Sequence, residues 1–321
     1  MTLLENQKRF INLRLGTFIH FNSATFQFNS TTDVEDWEFG HENFGQERKY
    51  PFCEKDWNPT ELDCREWARA AKEAGCRFAA LTAKHHEGFA LWDSICTEHC
   101  IRNAANKTDV VRQYLEAFRE QGIAAGLYFS ILDLTHGIGR KSCTPQQKQF
   151  IKDQISELLT SYGEIPFLMV DGWGSPWGGP SFEMLPFEEI DSHVKSLQKD
   201  CLLLNIGASD GLDHTDIVFF ENAAGQEVAS GFSGPGVSCN KLTRTWFWRH
   251  DDPVTPCTEA AWAIGKMKEY FPINVNFMLN LSPNVKGKID DNLKREFARI
   301  GERVALPDEL MEEPKNWLKR E

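Results

Sequence analysis

Two rhythms of apolar and polar residues alternate along the chain. Short apolar runs read as buried strands, and segments with an apolar residue every third or fourth position read as helices. The first run is GTFIHF (16–21), followed by a long polar segment from Asn22 to about Pro59. That segment contains Trp37, Phe39, Phe44, Tyr50, Phe52 and Trp57, which predicts a folded, functional loop. A helix is expected from Asp63, with Glu66 in a capping-box-like position, an apolar face of Trp67, Ala70, Ala71 and Ala74, and Gly75 as its stop. FAALTAK (78–84) is the second strand; Thr108 is expected to cap the next helix, with Val111, Leu115 and Phe118 as its stripe. AAGLYFS (124–130) is the third strand, and Thr144-Pro145-Gln146-Gln147 opens a helix carrying Ile151, Ile155, Leu158 and Tyr162. FLMV (167–170) is the fourth strand, and Pro186 opens a helix with Phe187, Ile190, Val194 and Leu197. LLLN (202–205), IVFF (217–220) and TWFW (245–248) are strands five to seven, without ordinary helices between five and six. Thr258 is expected to cap a helix reaching Tyr270, NVNFMLNL (274–281) is strand eight, and a helix through Leu293, Phe297 and Ile300 ends the pattern.

Eight strands, most of them alternating with helices, predict a (β/α)8 TIM-like barrel that is irregular in strands five to seven. The alternative, a doubly wound sheet, needs a glycine-rich phosphate-gripping turn after the first strand, where the chain has HFNSATF. In a barrel the residues just past each strand share one rim. Here they are His20; Lys84, His85, His86 and Glu87; Asp133 and His136; Asp171 and Trp173; Asn205; Glu221; and Arg244 with Trp246.

Composition narrows the partners. The net charge of −12 over 321 residues, without a basic run, argues against nucleic acid and anionic membranes. No stretch approaches the roughly 18 apolar residues of a membrane span, and MTLLENQKRF lacks the apolar core of a signal peptide. Nine scattered cysteines, together with the absent signal, lead us to expect free thiols and a cytoplasmic location. Several of the ten tryptophans fall in Gly/Pro-rich segments such as GWGSPWGGP, where stacking on a sugar face explains them better than core packing does.

The chemistry centres on FLMVDGW (167–173). An apolar strand runs into Asp171, Gly172 permits a sharp turn, and Trp173 supplies a flat face. Such a carboxylate suits a sugar-cleaving site; read alone, it equally suits a turn cap. The adjacent histidines of KHHEGF point opposite ways in extended chain, unlike an i, i+4 metal clamp, so we expect no metal and no cofactor. They serve either as hydrogen-bonding partners for sugar hydroxyls or as packing residues. No GxSxG elbow marks a nucleophilic serine. Paired carboxylates remain: a retaining glycosidase needs a nucleophile and an acid/base about 5–5.5 Å apart. Glu221 is the first candidate partner for Asp171 and Glu227 the second, although Glu221 could instead bond a backbone turn.

GTFIHF, NPTELDCREWARAAKEAG, LTAKHHEGFALWDS, GLYFS, FLMVDGW and NFMLNLSPN, in that order, resemble the α-L-fucosidases of glycoside hydrolase family twenty-nine. The resemblance runs from about residue 14 to 300, and the KHHxGFxLWxS block is its most specific part. It implies retaining release of terminal α-L-fucose from a small fucoside or fucosylated glycan, with Asp171 as nucleophile. It also implies that His20, His85 and His86 bind fucose hydroxyls, and that Trp37, Trp173 and Trp246 form the apolar wall. Departures are Glu87 where the family usually has Asp, Met169 where Trp is frequent, and no Arg after strand five. VSCNKLTR also lacks the Glu that some members carry there, so Glu221 is inferred from strand position. We expect residues 1–321 to form a single catalytic barrel without the C-terminal β-sandwich that many members carry. A catalytically silent fucose-binding barrel and a glycosidase of changed sugar specificity are the competing readings.

Overall fold

The computed structural model describes residues 1–27, 52–174, 178–208, 211–222, 226–307 and 317. Eight parallel strands form one sheet: β1 (Leu15–Ile19), β2 (Phe78–Lys84), β3 (Ala124–Ser130), β4 (Phe167–Asp171), β5 (Leu202–Asn205), β6 (Val218–Glu221), β7 (Gly236–Asn240) and β8 (Val275–Leu281). Their order is β5-β4-β3-β2-β1-β8-β7-β6, a nearly closed (β/α)8 barrel. Around it lie α3 (Cys64–Glu73), α4 (Val110–Glu120), α5 (Pro145–Thr160), α6 (Phe187–Leu197), α7 (Ala260–Tyr270) and α8 (Asp291–Gly301), after the N-terminal α1 (Leu3–Ile11) and the short α2 (Ser23–Gln27).

Strand parity sorts the side chains. Phe18, Phe78, Ala80, Tyr128, Phe167, Met169, Leu202, Leu204 and Phe219 fill the barrel interior. Their neighbours Ile19, Ala79, Leu81, Leu127, Phe129, Leu168, Val170 and Leu203 face the helices. Because side chains alternate with a period of two, the inward set continues at the mouth to His20, Tyr128, Asp171 and Glu221. Gly126 belongs to the inward set: a Cβ there would lie 2.3 Å from the Phe167 ring.

Local capping follows the sequence at several helices. Asp63 accepts from the Arg65 and Glu66 N–H groups, and Thr144 and Gln147 form a capping box. Three expectations are corrected. The fourth helix is capped by Asp109 rather than Thr108, whose N–H instead donates to Asn106 Oδ1. The seventh starts after Glu259 rather than Thr258, whose hydroxyl donates to the Lys241 carbonyl. The seventh strand is GVSCN rather than TWFW; the apolar run TWFW lies in the loop beyond it, buried by ring contacts rather than by a ladder.

The sequence pattern does not mark α1, whose cap is a Thr2–Glu5 capping box. Phe10 sits 5.1 Å from the Phe78 ring and 5.3 Å from Phe167, and its carbonyl accepts from Asn276 Nδ2. This helix therefore closes the end of the barrel opposite the mouth. Between β5 and β6 side chains replace the ladder. Leu203 N–H donates to Asp216 Oδ2 (2.7 Å), Asp216 N–H to the Leu203 carbonyl (2.8 Å) and Asn205 N–H to Thr215 Oγ1 (3.0 Å).

Candidate active site

Asp171 is the last residue of β4, 7% exposed and aimed into the barrel mouth by strand parity. Its Oδ2 accepts from the Tyr128 phenol at 2.7 Å and its Oδ1 from the Gly172 N–H at 2.5 Å. Gly172 has φ +60, and a Cβ there would meet Leu132 Cβ at 2.4 Å. Only glycine lets the chain turn away from β4 this sharply while the β3 loop packs against it. The two donors satisfy the carboxylate as an anion.

Three imidazoles gather about the Tyr128 side of this carboxylate, and one of them, His86, reaches it. His86 Nε2 lies 3.6 Å from Asp171 Oδ2. Its Nδ1 donates to Ser130 Oγ at 2.6 Å, and that hydroxyl donates onward to the Leu132 carbonyl at 2.7 Å. His20 Nδ1 donates to Asn280 Oδ1 at 2.6 Å, and the Asn280 amide donates to the Trp246 carbonyl. His85 stacks on Tyr128 with ring centres 5.8 Å apart. Burial drives all three below the ordinary histidine range: His20 to about 3, against the opposing Asn280 hydrogen bond; His85 further helped by His86 and His20; and His86 against the pull of Asp171. They are neutral near pH 7, so each ring nitrogen pair offers one donor and one acceptor. In His20 and His86 the proton sits on Nδ1, which leaves Nε2 as an acceptor.

Burial, the Asp171 charge and hydrogen bond, and the Glu221 charge together push the Tyr128 phenol well above its ordinary range. It remains a donor. Asp171 and Glu221 thus act on the same phenol. Glu221 ends β6, is half-buried, and its N–H donates to Gln226 Oε1 at 3.2 Å. Glu227 is exposed and accepts from the Asn222 amide at 2.8 Å.

The aromatic candidates divide. Trp246 is half-buried and stacks on His20 at 5.0 Å. Trp173 is fully buried, with its indole donating to the Leu185 carbonyl and its ring stacked on Phe187 at 5.5 Å. It offers no face to the mouth, because Gly172 reverses the chain and turns Trp173 toward α6. Trp37 lies outside the described residues. Two residues escape a reading of the sequence. Tyr128 is hidden inside an apolar strand, though its spacing from Gly126 gives its parity. Phe247, read as part of a strand, stands edge-on to both His20 (5.2 Å) and His85 (4.9 Å). Rim residues Lys84 and Asp133 form a fully buried ion pair at 2.8 Å behind the site, and Asp133 also accepts from His136 Nδ1. Among the described residues, no group of three or more His, Cys, Asp or Glu is arranged to hold a metal ion.

The chain matches the family model described as Alpha-L-fucosidase over residues 3–307. It is 28% identical to Alpha-L-fucosidase 1 of Arabidopsis thaliana over 316 residues, covering 89% of this chain and 57% of that protein. It is 24% identical to the tissue alpha-L-fucosidase of Homo sapiens, covering 78% of this chain and 55% of that protein. The chain spans little more than half the length of these relatives. Among solved structures, the fold superposes on an alpha-L-fucosidase of Bacteroides thetaiotaomicron, trapped as a covalent intermediate with 2-fluoro-fucosyl fluoride. The TM-score is 0.77 at 20% identity, over 93% of this chain and 74% of that one. Alpha-L-fucosidase isoenzyme 1 from Paenibacillus thiaminolyticus gives a TM-score of 0.73 at 23% identity, over 94% of this chain and 76% of that one. The family match covers nearly the whole chain, and the same stretch folds into the barrel that carries Asp171 and the three imidazoles: the chain belongs to the α-L-fucosidase family.

Proposed function

We propose that the chain is an exo-acting, retaining α-L-fucosidase. Asp171 attacks the anomeric carbon of a terminal α-L-fucoside as the bond to the leaving oxygen breaks, and Glu221 delivers a proton to that oxygen. Water then attacks the fucosyl–Asp171 ester, gives its proton to Glu221, and releases fucose with its original anomeric configuration. Tyr128 and the Gly172 N–H stabilise the Asp171 carboxylate when it departs. The neutral His20 and His86 accept from sugar hydroxyls at Nε2, and the neutral His85 offers one donor and one acceptor to them. Trp246 and Phe247 supply apolar surface beside them. The observation that carries this reading is the hydrogen-bonded, nearly buried Asp171 carboxylate, held by Tyr128 and Gly172 with His86 beside it. Nine free cysteines, most of them buried, support a reducing compartment such as the cytoplasm as its place of work.

The test is hydrolysis of a panel of aryl glycosides. The α-L-fucoside is the expected substrate, and Asp171→Ala is expected to lower kcat by at least about a thousandfold, on the scale of losing a covalent nucleophile. Glu221→Ala is expected to spare substrates with highly acidic leaving groups and to slow those with poor ones. Wild-type-like turnover by Asp171→Ala removes it from the mechanism. The same leaving-group pattern in Glu227→Ala, in place of Glu221→Ala, transfers the acid/base role. Fucose binding without turnover of any glycoside identifies a silent binding barrel.

A further inference from the structure

Glu87 follows His86 directly, yet its carboxylate turns away from Asp171 into a buried cluster. It accepts from Phe52 N–H (2.9 Å), Phe89 N–H (3.1 Å), the Thr135 hydroxyl (3.1 Å) and His99 Nε2 (2.8 Å). The other nitrogen of that ring, His99 Nδ1, lies 2.5 Å from Glu54 Oε1. An ionised carboxylate can only accept, so a ring held between two of them carries a proton on each nitrogen. The His99 ring is buried, edge-on to Phe89 at 5.4 Å, and the backbone N–H of His99 donates to Thr97 Oγ1 at 3.0 Å. The charged groups in contact with it are Glu54, from the 3-10 turn Glu54–Asp56, and Glu87, from the turn after β2. Lys55 acts on the first of these and Lys84 interacts with the second.

The turn that contains Glu87 is tied to the imidazole pair. Gly88 N–H donates to the His85 carbonyl (3.0 Å), Leu134 N–H to the His86 carbonyl (2.9 Å), and Thr135 N–H and hydroxyl to the Glu87 carbonyl (3.2 and 2.7 Å). A shift of Glu87 must therefore move His85 and His86. We propose that His99, bridging Glu54 and Glu87, is a positioning residue for His85 and His86, and that it holds them only while both of its ring nitrogens are protonated. The proposal rests on the sugar-binding role given above to that pair.

Charge supports the geometry. Burial opposes the imidazolium, but the hydrogen bonds and charges of Glu87 and Glu54 outweigh it and raise His99 above the ordinary histidine range. Burial likewise opposes the Glu54 carboxylate, and the His99 hydrogen bond, a backbone hydrogen bond and the His99 and Lys55 charges together outweigh it and hold Glu54 below its usual range. A histidine raised in the folded state contributes its full stabilisation below its unfolded value of about 6.5, and the contribution is lost as pH rises through the folded value. The clamp is therefore intact below about pH 6.5 and opens as pH rises through the folded value of His99.

The experiment combines KM–pH profiles for an aryl α-L-fucoside with NMR of the ring nitrogens. In the wild-type protein both His99 nitrogens are expected to be protonated at about pH 6, and KM to rise as pH passes through the titration of His99 above about 6.5. His99→Gln is expected to raise KM roughly tenfold at pH 6, the scale of one lost charged hydrogen bond, with a smaller effect on kcat. The double variant His99→Gln/Glu54→Gln re-forms the hydrogen-bond chain to Glu87 without the imidazolium. In it the new amide at position 54 donates to the side-chain oxygen at position 99, whose own amide donates to Glu87. It should recover a KM near wild type, without the alkaline rise. An unchanged KM and profile in His99→Gln, or His99 titrating at or below the ordinary value, overturns the proposal. If the wild-type protein neither binds nor cleaves the fucoside, the functional reading fails separately. Amide exchange at residues 85–88 then decides the clamp: faster exchange in folded His99→Gln supports it, and unchanged exchange rejects it.

Discussion

Asp171 shows what a single residue owes to its strand. Its position at the end of an apolar run is visible in the sequence, and so are the histidine pair and His20. The run Phe167–Val170, apolar at every position, does not reveal which face each residue takes; the ladder does. Parity turns Asp171 inward and brings it within 2.7 Å of the Tyr128 hydroxyl, a partner that no motif in an apolar strand announces. Trp173 misleads for the converse reason. Proximity to a carboxylate in sequence suggests proximity in space, but a φ of +60 at Gly172 points the indole into the outer core. Tyr128→Phe keeps the ring and its packing on His85 and removes one donor to a charged group. A hydrogen bond of that kind is worth about 1.5–3 kcal/mol, so kcat for the aryl fucoside is expected to fall about 10- to 100-fold. An unchanged kcat would reduce the phenol to a packing role.

At the scale of elements, the helices are more legible than the strands on the irregular side of the barrel. Capping signals at Asp63 and Thr144 hold because they act within one turn. β7 escapes a reading of the sequence because GVSCN has few apolar residues, while its neighbours β6 and β8 provide the burial that propensity does not. TWFW draws the strand assignment because a run of aromatics reads as a buried strand, whether rings or ladders bury it. The β5–β6 seam cannot be foreseen, since it depends on two polar side chains, Thr215 and Asp216, replacing ladder bonds. Asp216 is fully buried and accepts from both the Leu203 N–H (2.7 Å) and Lys195 Nζ (2.9 Å). Asp216→Ala leaves the Leu203 N–H unpaired and takes the carboxylate from Lys195, which keeps only its bond to the Cys201 carbonyl, and is expected to destabilise the fold by about 2–3 kcal/mol in urea unfolding. A loss within about 0.5 kcal/mol, typical of a neutral surface change, would mean that the seam is held by other contacts.

Across the whole molecule the barrel divides its tasks between two ends. One is sealed by α1, with Phe10 against Phe78 and Phe167, and is built for stability. At the other, strand ends deliver charge, imidazoles and aromatic rings to one mouth, as in barrels generally. The order of elements and the family are readable from the sequence because they rest on local periodicity and short motifs. The seal and the partners of the site residues are not, because they come from residues far apart in the chain that meet only when the sheet curls. The central claim is that this mouth works through a covalent bond to Asp171. It is tested most directly by treating the protein with 2-fluoro-fucosyl fluoride and locating the label by peptide mass spectrometry. The account predicts one 2-fluoro-fucosyl group, on the peptide containing Asp171 and at that residue. A label on a different carboxylate, or no label on a protein that turns over aryl fucosides, would contradict it.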